Sequence, residues 1–258
     1  MTLLQGKNIL VMGVANKRSI AWGVAKSAYR YGARLVFTCL SERERGKIQE
    51  LLDEAMPNEE FPIVQCDVSD DEQLDKAFAE IGERVGVLHG LAHCIAFAKG
   101  EELQGEYVNT SRDGYLLAQN ISAYSFVASA RRARPLMKEG GSLVTLTYLG
   151  GERVVESYNV MGVAKAALDA SMRYLAKDLG KDNIRVNAIS SGPVRTVSAK
   201  GVHGFDKMLH VLAERAPLGR ATDPEEVGDV ATFLFSDLSR NVTGEVIHVD
   251  AGYHIIGV

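Results

Sequence analysis

The stretch "NILVMGVANKRSIAWGVAKSAYRYGARLVFTCL", residues 8–40, decides the fold. Its first run, Asn8–Met12, is short and apolar, the pattern of a strand buried on both faces. Gly13 ends that run. Ser19–Gly32 then reads as a helix with a serine at the capping position and a glycine closing it. "RLVFTCL" (Arg34–Leu40) repeats the strand pattern. A strand, a helix and a second strand make a crossover unit, which joins parallel neighbours and is right-handed.

The same alternation continues outward. "SERERGKIQELLDEA" is helical, "PIVQCDV" a strand, Asp70–Arg84 a helix and Leu88–Phe97 a fourth strand. A loop with several charged and glycine residues covers Lys99–Asn109, and helical sequence follows to about Met137. "SLVTLTYL" (Ser142–Leu149) is a fifth strand, "YNVMGVAKAALDASMRYLAKDLG" a long helix and "IRVNAIS" a sixth strand. "TDPEEVGDVATFLFSD" begins with a cap, Pro224 and two acids, and "EVIHVD" is a seventh strand. Strands separated by helices imply a parallel sheet covered on both faces. The expected architecture is one doubly wound, Rossmann-like α/β domain over residues 1–258, its seven-stranded parallel sheet flanked by helices. Ligands of such sheets bind beyond the carboxyl ends of the strands.

Composition removes several classes of function. With 46% hydrophobic and 24% charged residues and a net charge of −4, nothing favours a nucleic-acid partner. Cys39, Cys66 and Cys94 lie in apolar segments without C-x-x-C spacing, as reduced core thiols of a cytoplasmic protein do. The six histidines lack ligand spacing, so no metal is expected. The apolar run of "MTLLQGKNILVMG" is too short for a signal peptide, and no stretch approaches the roughly 20 apolar residues of a membrane helix.

The strand ends carry the candidate chemistry. After the first strand, "GVANKRSIAWG" offers a turn at Gly13 and a helix N-terminus near Ser19-Ile20 whose free N–H groups attract pyrophosphate. It is not the G-x-G-x-x-G fingerprint, and alone it equally suits an ordinary connection. Asp67, directly after the third strand, is placed to accept from an adenine amino group or to cap the following helix. No acid ends the second strand, where Leu40-Ser41-Glu42-Arg43 stands. That leaves NADH or NADPH open, since Arg18, Arg43 or Arg45 could reach a 2′-phosphate.

At the fifth strand, Tyr148 stands at the end, Tyr158 at the head of the next helix and Lys165 two turns on. Residues seven apart return to nearly one face with about 10 Å of rise, so both can address one ligand between them. Met161, one turn before Lys165, cannot donate a proton.

Strand–helix order, "CDV" after the third strand and "ISSGPVRT" after the sixth resemble the short-chain dehydrogenase/reductase superfamily. Its usual members carry tyrosine four residues before the lysine and serine at the end of strand five. Met161 and Tyr148 occupy those places here. With "GVANKRSIAWG" and "YNVMGVAK", that departure is similar to the bacterial enoyl-acyl carrier protein reductase branch, from Gly6 to Val249.

The resemblance implies reduction of the C2=C3 bond of trans-2-enoyl thioesters on acyl carrier protein, with NADH (NADPH possible), in the last step of the fatty-acid elongation cycle. It implies catalytic roles for Tyr158, Lys165 and Tyr148, and substrate contacts from Tyr158, Tyr148 and the Ala98 backbone. Gly13, Ser19, Ile20, Leu40, Asp67, Val68, Ile95, Lys165, Val194 and Thr196 would hold the cofactor. The apolar spacing of Phe205, Met208, Leu209 and Leu212 suits a substrate lid at about 197–217 or a small satellite helix on the sheet. The resemblance implies a homotetramer on the helix that carries Lys165 and the one before it, the alternative being a monomer that buries the same face in its own core. In conjugate reduction hydride reaches C3 while charge builds on the thioester oxygen, so a hydroxyl moved one turn, roughly 5 Å, from position 161 to 158 suits an enolate. The rivals are a short-chain carbonyl reductase, disfavoured by Met161, and a non-catalytic NAD(P)H sensor, which would need neither tyrosine.

Overall fold

The computed structural model describes residues 2–194 and 214–257. Strands β1 (Asn8–Met12), β2 (Arg34–Cys39), β3 (Ile63–Gln65), β4 (Gly90–His93), β5 (Gly141–Thr147), β6 (Ile184–Ser191) and β7 (Val246–Val249) form one sheet, ordered β3-β2-β1-β4-β5-β6-β7. Every pairing is parallel. The strand order reverses between β1 and β4, which opens a crevice at their carboxyl ends.

Alternation along each strand feeds two cores. Leu10, Met12, Val36 and Leu143 face one side and pack with Phe78, Phe126, Leu168 and Met172 from helices α3 (Asp71–Val85), α5 (Ser125–Ala133) and α6 (Asn159–Leu179). Ile9, Val11, Phe37 and Val144 face the other and pack with Trp22, Leu52 and Phe235 from α1 (Ile20–Arg30), α2 (Glu42–Ala55) and α7 (Pro224–Phe235). Burying such residues on both faces, at about 25 cal/mol per Å² of apolar surface, drives the sheet to assemble.

Three strands end two or more residues earlier than the sequence suggests. β4 stops at His93 rather than Phe97, where the chain turns past Gly13. Gly13 holds φ +93, and a Cβ there would overlap the Cys94 carbonyl oxygen. Pairing with β2 ends at Cys66, whose N–H donates to the Cys39 carbonyl at 2.8 Å, before Asp67 turns the chain. β5 ends at Thr147, two residues short of Leu149. The helix expected up to Met137 is instead α4 (Arg112–Gln119), a π turn at Asn120–Tyr124 and then α5. Among the described residues no helix is long and apolar enough to cross a membrane, and no cluster of His, Cys, Asp or Glu is placed to hold a metal.

Candidate active site

α6 begins where the chain has just left β5 through a short 3-10 turn, Leu149–Gly151. Tyr158 is its N-cap residue, between Ser157 at φ 59 and Asn159 at φ 35. Left-handed backbone at non-glycine residues is sparsely populated and tends to mark functional positions. Gly150 makes room for the phenol: a Cβ there would overlap Tyr158 Cδ1 and lie 2.8 Å from Cε1. Tyr148 meets the same ring edge-on, with centroids 4.9 Å apart and planes at 73°.

Burial pushes the Tyr158 hydroxyl well above the ordinary phenol range, with Tyr148 and Asp169 adding to it. Burial likewise moves Tyr148 up to about 12, reinforced by Tyr253. Both rings therefore carry their protons near neutrality and can donate hydrogen bonds.

Lys165 lies two turns into α6 and is only 6% exposed. Its Nζ donates to the Leu146 carbonyl at 2.6 Å, which pins the amine beside the end of β5. Burial lowers it to about 8, opposed by Asp169 and Cys94. Cys94, against Gly13, is itself raised to about 12 by burial, an effect Lys165 counters. The ends of β1, β4 and β5 thus converge on one amine.

Met161 is buried in a small apolar cluster with Leu103, Ala118 and Val160, onto which Ala98 and Tyr158 pack. Ala98 and the phenol therefore share one wall. The π turn supplies a residue that sequence reasoning missed. Ser122 accepts from the Phe97 N–H at 2.9 Å and donates to the Phe97 carbonyl at 3.0 Å, fixing the chain that leads to Ala98. A second missed residue is Asp169, one turn after Lys165 and 5% exposed. Its signal was an acid on the lysine's own helix face.

The cofactor candidates line the other half of the crevice. Ser19 caps α1, accepting from the Trp22 N–H at 3.3 Å and donating to the Asn16 carbonyl at 2.7 Å, and Ile20 begins the helix. The Ile95 side chain borders Gly13. Val68 and Val194 are buried. Asp67 Oδ1 accepts from the N–H and hydroxyl of Ser69, at 2.8 and 2.7 Å. The cap of α3 is Asp70, so the capping alternative for Asp67 is replaced by a turn within its own loop. Leu40 is 52% exposed, its N–H donating to Glu44 and its carbonyl accepting from Gln65. Thr196 and residues 197–213 of the expected lid lie outside the described residues.

Comparison with known proteins gives a consistent picture. The family model described as enoyl-(acyl carrier protein) reductase matches residues 13–254. The chain is 62% identical over 252 residues to the enoyl-[acyl-carrier-protein] reductase [NADH] FabI of Bacillus subtilis, covering 98% of this chain and 97% of that one. It is 55% identical over 253 residues to the NADPH-type FabI of Staphylococcus aureus, covering 98% of each. The crystal structure of the Bacillus cereus enoyl-acyl carrier protein reductase with NADP+ and indole naphthyridinone superimposes with a TM-score of 0.98 at 60% identity over both full chains.

Proposed function

The chain belongs to the enoyl-(acyl carrier protein) reductase family, and on that premise we propose that Tyr158, Tyr148 and Lys165 are the residues through which it reduces enoyl thioesters. It is an NAD(P)H-dependent oxidoreductase acting on the C2=C3 bond of a thioester carried by acyl carrier protein. The observation that carries the residue assignment is the common wall of Ala98 and Tyr158, with Met161 buried where other short-chain reductases keep their proton donor.

The residues fit a dinucleotide. Gly13 leaves a cradle that a Cβ would fill, α1 presents its N-terminal N–H groups, and a buried ammonium waits at the end of β5. Gly13, Ser19, Ile20, Asp67, Val68, Ile95, Lys165 and Val194 would hold it, with Thr196 assigned from its motif alone. When bound, the reduced nicotinamide supplies hydride to C3 of the substrate.

Tyr158 donates a hydrogen bond to the thioester oxygen and stabilises the negative charge that gathers there. Its protonated state, enforced by burial, suits it to donate rather than accept. Tyr148 holds the Tyr158 ring by its edge and closes the pocket against water. Lys165 keeps one N–H on the Leu146 carbonyl and offers the others to ribose hydroxyls. The Ala98 backbone meets the substrate, steadied through Phe97 by Ser122.

The same reading makes residues 1–258 one catalytic domain acting in the cytoplasm as a homotetramer. Support for the assembly comes from Tyr115, Leu116 and Tyr124, exposed large hydrophobics on α4 and the π turn, and from the small residues Ala166, Ala167, Ala170 and Ser171 on α6. Oxidation of NADH and NADPH, measured side by side with crotonyl and longer enoyl thioesters and with a ketone panel, tests it. Enoyl-dependent oxidation supports the reading; turnover of ketones alone would return the case to a carbonyl reductase, and binding without turnover to a sensor.

A further inference from the structure

Asp169 is buried on the face of α6 that carries Lys165, four residues or about 6 Å of rise further on. Its Oδ1 and the Thr147 hydroxyl make no close hydrogen bond among the described residues, and that hydroxyl is the group nearest to bonding the carboxylate. The Leu149–Gly151 turn closes over it, so that a Cβ on Gly151 would lie 3.1 Å from Oδ2. A buried carboxylate oxygen without a close partner is uncommon.

The neighbours of Lys165 show what it answers. A buried ammonium needs a compensating charge. The groups facing it from the end of β4 and the residue after it are neutral: His93 is lowered to about 3 by burial and by Lys165, and the Cys94 thiol is raised to about 12 by burial. From the head of α6, Tyr158 keeps its proton. From β5 comes the Leu146 carbonyl. Asp169 is the one acid acting on Lys165 among the described residues. Burial raises Asp169 itself, while Thr147, Lys165 and Arg173 pull it down and Glu152, from the turn after β5, raises it.

We propose that Asp169 is a positioning residue for the reaction: its buried carboxylate is the counter-charge that keeps Lys165 an ammonium, and so able to hold the cofactor ribose. The inference rests on the assignment of Lys165 to the cofactor. Asp169 acts through the amine and touches neither substrate nor cofactor.

The test measures dissociation constants for NADH and NADPH by fluorescence between about pH 6 and pH 10, without enoyl substrate, so turnover does not enter. Wild type, Asp169→Asn, Asp169→Ser, Asp169→Glu and Lys165→Met are compared, the last also combined with Asp169→Asn. Wild-type binding is expected to weaken above about pH 8, where Lys165 loses its proton. In Asp169→Asn and Asp169→Ser the weakening should begin about 1 pH unit lower, the lower end of what one opposite charge contributes. Asp169→Glu should restore the wild-type profile, and Asp169→Asn should change nothing on the Lys165→Met background. Should Asn fail to fold, Ser carries the same expectation. Neutral variants whose profiles overlay the wild type overturn the proposal. A Lys165→Met protein that binds both cofactors like wild type overturns instead the assignment beneath it, and the proposal with it.

Discussion

Tyr148 meets Tyr158 edge to face, its ring centroid 4.9 Å away and its plane at 73°, so the two phenols form one unit rather than two separate donors. Only the second shares a wall with Ala98, and the two hydroxyls should therefore differ in worth. Tyr158→Phe should lower kcat/KM for an enoyl thioester by roughly 10²–10³-fold, as loss of an oxyanion donor does, with cofactor affinity unchanged. Tyr148→Phe keeps the edge contact and should lose less than Tyr158→Phe. Steady-state kinetics with crotonyl thioester, read beside cofactor titrations, compares them.

Lys165 should show itself in both binding and pH. Lys165→Met should weaken NADH and NADPH binding by roughly tenfold or more, the range for bonds to a charged group. The folded value of about 8 lies below the ordinary lysine value of 10.5. Between the two the unfolded chain holds a proton that the folded chain has released, so this site contributes stability that rises with pH. Denaturant unfolding at several pH values should find Lys165→Met more stable than wild type below about pH 8, with the gap closing above it.

Gly150→Ala should separate the phenol from the rest of the site. The added methyl would fall on the Tyr158 ring, and overpacking of this kind costs about 1–3 kcal/mol. Activity should fall much as in Tyr158→Phe while cofactor binding persists. Thermal unfolding and cofactor titration of the variant check both halves.

Ser122→Ala removes both bonds to Phe97, at about 1 kcal/mol or more where a buried group is left unpaired. The expected effect is a raised KM for the thioester, because Ala98 follows directly. A comparable loss of cofactor affinity instead would show that Ser122 serves the other half of the crevice.

The alternating strands and helices were legible because burial on two faces leaves continuous apolar runs, as in Ile9–Met12 and Leu35–Phe37. Strand ends were not, since β4 ends where Gly13 admits the Cys94 carbonyl, a contact between distant parts of the chain. The π turn at Asn120–Tyr124 left no mark in the pattern, because its residues are as apolar as those of the helices beside it. At the site, the spacing of Tyr158 and Lys165 announced itself, whereas Asp169 and Ser122 act through burial that a lone sequence does not display. Asp67 could be read two ways from its place after β3, and the Asp70 cap of α3 removes only the capping reading.

Ser157 and Asn159 have one more implication. The winding of α6 dictates where the amine goes, but the phenol is delivered by two left-handed joints, one just before the helix and one at its first residue. Each group answers to its own piece of backbone. A helix elongated, shortened or re-wound by mutation would displace one without dragging the other, and this separability is how a single lysine anchor can coexist with a hydroxyl parked at a different depth.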